Sequence, residues 1–277
     1  MCRTVDLQQA VLAKNDDLAG RLREDLAARG VTAVNLLSSP GSGKTELLRA
    51  VLAAAVARGV PAAALTADLA TDHDAERLAR SGAPVRQVHT GGLCHLEAAQ
   101  LRGLLADWLP AGTRLLFVEN VGNLVCPAAY DLGETFRIVL MSVTEGEDKP
   151  LKYPTAFGTA HLVVLTKTDL AGPAGFDEAA FTAGVQRVNP GVRILRTCAR
   201  DGTGVAGLLD RALAVADGAE PHRPLLAAAH RDRHTHTHTH THTHTHTHTH
   251  GHGHGHGHGH GHGHGGAAAL PAPSGVA

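Results

Sequence analysis

Apolar residues occur along the chain at two spacings, one typical of helices and the other of strands. The opening segment has helical spacing, with apolar side chains at Leu7, Val11, Leu18, Leu22 and Leu26. This spacing predicts an amphipathic helix over Asp6–Arg29. Short runs rich in β-branched and other apolar residues then predict strands at Val31–Leu37, Val60–Thr66, Pro84–His89, Arg114–Val118, Ile138–Val143, His161–Leu165 and Val192–Leu195. Helical spacing between most of these runs predicts helices at Lys44–Arg58, Asp72–Arg80, Leu93–Trp108, Asp177–Val188 and Val205–Val215.

Alternation of strands and helices is typical of an α/β fold. Parallel strands need a crossover between them, and a helix packed on the sheet usually makes that crossover. We therefore expect a mostly parallel sheet with helices on both faces. The main domain is predicted to span residues 31–222, with a helical extension over 1–30 before it and a tail over 223–277 after it.

The last part of the chain has a different composition. From His234 onward it contains no Lys, Arg, Asp or Glu, and 16 of the 22 histidines alternate there first with Thr and then with Gly. Such a segment has too few apolar side chains to offset the entropy lost on ordering its backbone, so we expect it to be disordered. Imidazole is a good ligand for Ni²⁺, Zn²⁺ and Cu²⁺. We therefore predict a nickel store built from His234, His236, His238, His240, His242, His244, His246, His248, His250, His252, His254, His256, His258, His260, His262 and His264.

Charge and cysteine content narrow the classes of partner. The 25 Lys and Arg residues nearly balance the 26 Asp and Glu residues, for a net charge of −1 with histidine neutral. Without an excess of basic charge, we expect neither nucleic acid nor a membrane to be a partner. The 4 cysteines are too few for a disulfide scaffold, and the amino terminus lacks the apolar run of a signal peptide. These features favour a cytoplasmic location in which thiols can bind metal.

A phosphate-binding loop follows the first predicted strand. The run Ser38-Ser39-Pro40-Gly41-Ser42-Gly43-Lys44-Thr45 leads directly into a helix and has the P-loop pattern, apart from the serine at its first position. Backbone N–H groups of such a loop surround phosphate oxygens, and the positive end of the following helix points at the same anion. We expect Lys44 to bind the β- and γ-phosphates and the Thr45 hydroxyl to bind Mg²⁺. The sequence therefore predicts a P-loop NTPase fold, with nucleotide contacts from Pro40, Gly41, Ser42, Gly43, Lys44, Thr45 and Glu46.

Two later strand ends predict which base the nucleotide carries. The run Thr166-Lys167-Thr168-Asp169 comes directly after an apolar strand. The Asp169 carboxylate can accept two N–H groups from guanine, whereas adenine has no such pair of donors on that edge, and the aliphatic part of Lys167 can pack on the purine. Cys198 and Ala199 follow the last strand, at the position of the Ser-Ala-Lys loop of GTP-binding proteins. Because ligands of such sheets bind beyond the carboxyl ends of the strands, the sequence favours GTP and its product GDP over ATP.

Two carboxylates at strand ends are candidates for holding Mg²⁺. The strand Leu115–Val118 is followed by Glu119 and, three residues later, by Gly122, in the place of the GTPase segment whose glycine amide senses the γ-phosphate. Asp68 follows the second predicted strand. Either acid alone fits a solvated strand end equally well, but together with the P-loop they predict a catalytic set of Lys44, Asp68 and Glu119. No arginine finger and no glutamine that would position water is evident, so we expect slow hydrolysis that needs an activator or a dimer partner.

Three soft ligands are candidates for a transition-metal site. Cys94 and His95 lie at the start of the helix predicted over Leu93–Trp108, where the helix dipole would lower the pKa of a thiol. With Cys126 they make a set that suits Ni²⁺ or Zn²⁺ and leaves one position for water, a second subunit or an exchange partner. By spacing alone, two buried structural cysteines are an equally good interpretation. A metal is favoured because Cys126 follows Gly122 by only four residues, so a metal there would touch the segment that senses the nucleotide.

Several of these segments resemble the HypB family of GTPases, which help to insert nickel into nickel–iron hydrogenases. The resemblance covers about residues 31–215 and is carried by the segments 35–45, 90–96, 119–127, 131–134 and 142–154. It implies a GTPase of the SIMIBI class that forms a homodimer on binding GTP, with a metal site of Cys94, His95 and Cys126 near the dimer interface. It also implies a HypA-type nickel chaperone as a partner and the hydrogenase large subunit as the recipient of Ni²⁺.

The chain departs from the family pattern in the position of its candidate nickel-storage residues. Some members have an N-terminal Cys-x-x-Cys-Gly-Cys nickel site, of which only Cys2 is present here, and others have a histidine-rich stretch near the amino terminus. We expect the C-terminal histidines to replace that stretch. Asp68, Thr71 and Asp74 match the switch segment of the family, although Ala67 and Leu69 depart from it.

Two alternative functions stay open. A nickel storage or detoxification protein with a vestigial P-loop would account for the tail, but the intact Lys44, Thr45 and Asp169 argue against it. A urease-type nickel-insertion GTPase would have a contiguous Cys-Pro-His motif, whereas Cys94-His95 and Cys126-Pro127 are separate here. A nickel-inserting GTPase of hydrogenase maturation is the leading hypothesis.

Overall fold

Seven parallel strands form the sheet of the protein. The structure is a computed structural model, and it describes residues 2–68 and 73–226. The strands are β1 (Thr32–Ser38), β2 (Ala62–Asp68), β3 (Val85–His89), β4 (Leu115–Glu119), β5 (Phe136–Ser142), β6 (Leu162–Thr166) and β7 (Ile194–Arg196). Their order across the sheet is β3-β2-β4-β1-β5-β6-β7. All neighbouring pairs are parallel, which confirms the predicted α/β class.

Helices cover both faces of this sheet. They are α1 (Cys2–Ala28), α2 (Lys44–Ala57), α3 (His73–Ala79), α4 (Ala98–Trp108), α5 (Lys149–Lys152), α6 (Pro154–Gly158), α7 (Glu178–Val188) and α8 (Val205–Ala216). On one face, Leu48 of α2 and Leu209 of α8 share a core with Leu36 of β1. On the other face, Leu26 of α1 and Phe181 of α7 belong to two further cores. Because both faces are buried, strands such as β4 and β6 are almost continuously apolar rather than alternating.

The start of α4 differs from the prediction. The helix begins at Ala98 rather than at Leu93, and Glu97 and Gln100 form a capping box at its first turn. Leu96 is fully buried and so continues the apolar pattern that predicted a longer helix, but it lies in the loop before the cap. Gly91 and Gly92 both have positive φ and turn the chain into that loop.

Two short helices, α5 and α6, were not predicted from the sequence. Pro150 and Pro154 occupy their first turns, where the fixed φ of proline suits a helix and its missing N–H has no partner to lose. The helix α1 begins at Cys2, four residues before the predicted start at Asp6. The other predicted helices and strands agree with the structure to within about two residues at each end, the usual uncertainty of an element boundary.

Some of the predictions lie outside the described residues. These are the tail from residue 227 onward, with all of its histidines, and the switch residue Thr71. Over the ranges 2–68 and 73–226, none of the helices combines the length and the apolar character that crossing a bilayer requires.

Candidate functional site

The phosphate-binding loop lies between the end of β1 and the start of α2. Gly41 and Gly43 have φ values of +73° and +86°, a conformation that glycine adopts without strain. The hydroxyl of Thr166, the last residue of β6, donates to the carbonyl of Ser42 at 2.6 Å. Lys167 Nζ donates to the carbonyl of Gly41 at 2.7 Å. The end of β6 therefore helps to hold the loop in shape.

The first two residues of α2 point towards the end of β4. Lys44 is buried, its Nζ donates to the Asn120 carbonyl, and it lies 4.0 Å from Glu119 Oε1. The Thr45 hydroxyl donates to the same carboxylate oxygen at 2.6 Å. Burial raises the pKa of Glu119, and the charge of Lys44 and the Thr45 hydroxyl oppose that shift. Among the described groups, none forms a hydrogen bond with the buried Glu119 Oε2.

Asp68, the other predicted acid, lies at the same edge of the sheet. It is the last residue of β2, and Thr66 two residues before it pairs in register with Glu119 of β4. Glu46, predicted as a nucleotide contact, has its carboxylate bonded to Arg49 Nη2 at 2.6 Å along α2, and this bond lowers the pKa of Glu46.

Gly122 lies directly against the phosphate-binding loop. A Cβ atom on Gly122 would be 3.2 Å from Pro40 Cα and 3.3 Å from Pro40 N, closer than most side chains approach a backbone. The segment after β4 therefore touches the loop through a residue that has no side chain.

The residues predicted to read the base lie at the ends of β6 and β7. The Cys198 thiol donates to Asp169 Oδ1 at 3.1 Å, and Arg200 Nη2 lies 3.2 Å from Asp169 Oδ2. Burial raises the pKa of Cys198, which keeps the thiol protonated as a donor. Lys167 has a positive φ of 54°, and its Cε would lie 3.5 Å from a Cβ on Gly43, so its aliphatic part crosses the loop. Ala199 follows Cys198 and is half-buried.

Cys94 and Cys126 come together on the loops that follow β3 and β4. A hydrogen bond between the two thiols, assisted by burial, raises the pKa of Cys94. His95 Nδ1 lies 3.7 Å from Cys94 Sγ, and the His95 ring stacks on Tyr130 with the ring centroids 3.8 Å apart. Burial lowers the pKa of His95, which favours the neutral imidazole that binds metals.

Comparison with known proteins identifies the family. The nucleotide-binding domain model of the CobW/HypB/UreG family matches residues 32–196. The hydrogenase maturation factor HypB of Azotobacter vinelandii is 47% identical over 205 residues, which cover 73% of this chain and 67% of that protein. The chain belongs to the HypB family of hydrogenase maturation factors.

Two solved HypB structures share the fold. HypB from Archaeoglobus fulgidus is 36% identical with a TM-score of 0.68, over 74% of this chain and 100% of that one. HypB from Helicobacter pylori, solved in complex with nickel, is 36% identical with a TM-score of 0.69, over 74% of this chain and 95% of that one. The sequence resemblance to the HypB family, and with it the P-loop GTPase type of fold, is therefore confirmed.

Within this HypB-family chain, one detail of the predicted metal cluster is wrong. Cys94 does not stand at a helix N-terminus, because α4 begins only at Ala98, and its pKa is raised rather than lowered. The described residues contain no group of three or more His, Cys, Asp and Glu side chains arranged to hold a metal ion. The structure thus pairs Cys94 with Cys126 and places the His95 ring beside them, without closing a three-ligand site.

A buried ion pair behind this cluster was missed. Arg137 Nε donates to Glu134 Oε1 at 2.6 Å, and the other guanidinium nitrogens donate to the carbonyls of Ala128 and Tyr130. Burial alone would raise the pKa of Glu134, but Arg137 and backbone N–H groups outweigh it and lower the pKa to about 2. Arg137 therefore ties the turn that follows Cys126 to the sheet. The segment 131–134, which contributes to the family resemblance, was the available signal.

Proposed function

We propose that this protein is a GTP-hydrolysing nickel metallochaperone that delivers Ni²⁺ to the large subunit of a nickel–iron hydrogenase. One observation carries the proposal: a single short segment links the two sites. It begins at Glu119, which accepts a hydrogen bond from Thr45, passes Gly122 against the phosphate-binding loop, and ends at Cys126, a free thiol that interacts with that of Cys94. A change of nucleotide that moves this segment would therefore move a metal ligand.

The residues around Glu119 fit a magnesium ion. The Thr45 hydroxyl and the buried Glu119 carboxylate are hard oxygen donors of the kind that Mg²⁺ prefers, and Asp68, the last residue of β2, is the other acid proposed to hold the ion. Bound with GTP, Mg²⁺ would neutralise charge on the β- and γ-phosphates. The Lys44 ammonium group lies in this site, where it donates to the Asn120 carbonyl. On nucleotide binding it would donate to phosphate oxygens instead.

Guanine recognition would use the carboxylate at the end of β6. Both Asp169 oxygens already accept or face donors, from Cys198 and Arg200. The N1–H and N2–H groups of guanine would take the place of these donors, while Lys167 packs along the base. This arrangement supports GTP rather than ATP as the substrate.

Nickel would bind between the two loops as cargo, with Zn²⁺ as a competing ion. Cys94 and Cys126 would lose their thiol protons on binding, and His95 Nδ1, 3.7 Å from Cys94 Sγ, is near the separation of two ligand atoms on one tetrahedral ion. Leu93 and Val125, next to the two cysteines, are 40% and 62% exposed. We infer that a second copy of the chain covers this apolar rim in a GTP-dependent homodimer and completes the coordination. A HypA-type chaperone would exchange nickel with the same pair.

The histidine tail would act as a nickel store that feeds this site. Counting bound nickel by equilibrium dialysis separates the two sites. Removing residues 234–277 should lose several ions per chain, because 16 imidazoles go with them, and should retain the tighter thiol site. Cys126→Ser in the shortened chain should remove that remaining nickel.

A matched control is Cys198→Ser, which changes a thiol that bonds Asp169 and should leave the nickel count unchanged. An unchanged count after removal of the tail would contradict the storage role. Retention of nickel by Cys126→Ser would contradict the thiol site.

A further inference from the structure

A pocket beside the phosphate-binding loop is lined by a positively charged side chain, Lys149, that has no role in the proposed function. The cavity has a volume of about 290 Å³, and Ser39 and Pro40 of the loop, Gly122, Lys149 and Tyr153 are among its lining residues. Lys149 belongs to α5, in the family segment 142–154 for which no role has been assigned above.

The order of the strands shows which end of the nucleotide this pocket faces. The residues that would read the base follow β6 and β7, the phosphate-binding loop follows β1, and Gly122 follows β4 on the far side of β1. Since all strands are parallel, these segments lie along one edge of the sheet. A nucleotide with its base at Asp169 therefore extends its γ-phosphate towards Gly122 and Pro40, two of the residues that line the pocket.

The ammonium group of Lys149 is held at the wall of this pocket. Its Nζ donates to Ser39 Oγ at 3.4 Å and lies 3.4 Å from Glu145 Oε2. Glu145 is itself fixed, because its Oε1 accepts the N–H of Ser142 at 2.9 Å. The Tyr153 ring lies 5.1 Å from the same Nζ. With its side chain only 21% exposed, Lys149 presents a positioned positive charge rather than a freely moving surface lysine.

We propose that Lys149 stabilises the charge that develops on the γ-phosphoryl group during GTP hydrolysis, the role that an arginine finger has in other GTPases. This inference rests on the proposed GTPase function. A water oxygen forms a bond to the γ-phosphorus, and the bond from that phosphorus to the bridging oxygen breaks, leaving its electron pair on GDP. The protons of the water remain with inorganic phosphate or pass to solvent. Lys149 exchanges its contact with Ser39 Oγ for a γ-phosphate oxygen and is not consumed.

The test compares Lys149→Gln, which removes the charge, with Lys149→Arg, which keeps it, in the full chain with Mg²⁺. In single-turnover GTP hydrolysis, Lys149→Gln should be slower by about 100-fold or more, the usual cost of losing one transition-state donor. Its affinity for a non-hydrolysable GTP analogue should change less than about threefold, because the contact forms mainly in the transition state. Lys149→Arg should recover most of the rate. Binding of GDP with aluminium fluoride, a mimic of the transferred phosphoryl group, should be lost only in Lys149→Gln.

Arg58→Gln serves as the control, because it removes one positive charge at the far end of α2, where Arg58 pairs with Asp210. Hydrolysis by Lys149→Gln at the wild-type rate would overturn the inference while leaving the proposed function intact. Equal losses of analogue affinity and of rate would also overturn it, since they would assign Lys149 a role in loop structure. A wild-type chain that binds no GTP would instead overturn the proposed function itself.

Discussion

Lys44→Ala is expected to abolish measurable GTP hydrolysis and to weaken GTP binding by about 100-fold or more. Lys44 is buried at the start of α2 with its ammonium group held by the Asn120 carbonyl and close to Glu119, so it is aimed at the phosphates before they arrive. Alanine removes this charge and leaves the buried Glu119 carboxylate without its nearest cation. Titration with a fluorescent GTP analogue and a phosphate-release assay measure the two losses.

The same variant separates a GTPase from a nickel store. Lys44 is not one of the proposed nickel ligands, so Lys44→Ala should bind as many nickel ions as the wild type. In cells that depend on this protein, it should fail to support hydrogenase maturation although it still carries nickel. Full hydrogenase activity with Lys44→Ala would mean that the P-loop is dispensable and would favour the storage function.

Arg137→Met is expected to lower the free energy of unfolding by about 3–5 kcal/mol. Its guanidinium group is the partner of the fully buried Glu134 and also bonds the carbonyls of Ala128 and Tyr130. Methionine keeps much of the volume but leaves a buried carboxylate with no counter-charge. Urea unfolding measures the change, and the control Arg196→Met, which breaks the exposed pair with Glu178, should cost less than about 1 kcal/mol.

The destabilisation caused by Arg137→Met should depend on pH through the ionisation of Glu134. In the wild type, the pKa of Glu134 is lowered to about 2 from an ordinary value of 4.5, so its ionised form stabilises the fold above pH 4.5 and that contribution is lost as the pH falls towards 2. In Arg137→Met, only the backbone N–H groups still oppose the effect of burial, and we expect the pKa of Glu134 to rise above its ordinary value of 4.5. The destabilisation relative to the wild type should then shrink as the pH is lowered towards 4.5. An equal destabilisation at pH 7 and pH 4.5 would show that Glu134 is not the cause.

Most of the fold could be predicted from sequence because both faces of the sheet are covered. Strands such as β1 and β4 are buried throughout and therefore stand out as continuous apolar runs. The start of α4 could not be predicted from the same signal. Leu96 is buried in the loop before the helix, so it extends the apolar pattern, and only the capping box of Glu97 and Gln100 marks where the helix begins.

The sequence likewise predicts some features of the candidate site and not others. The phosphate-binding loop and Asp169 could be predicted because each is a short motif directly after a strand. The contacts that join distant segments could not: Lys149 meets Ser39 across 110 residues. The interaction between the thiols of Cys94 and Cys126 likewise depends on two loops whose course no local pattern describes. Arg137 and Glu134 are close in sequence, but their burial depends on the packing of β5 against its neighbours.

The most direct test of the account is equilibrium binding of non-hydrolysable GTP, ATP and XTP analogues with Mg²⁺, by the wild type and by Asp169→Asn. The wild type should bind GTP tightly and ATP weakly, and sedimentation should show a dimer only with GTP. Asparagine offers one acceptor and one donor, so Asp169→Asn should lose about 100-fold in GTP affinity and gain affinity for XTP, whose base carries the matching donor and acceptor. Equal binding of GTP and ATP by the wild type, or no effect of Asp169→Asn, would contradict guanine recognition at the end of β6. Either result would also contradict the proposal that GTP binding and hydrolysis drive nickel delivery by this protein.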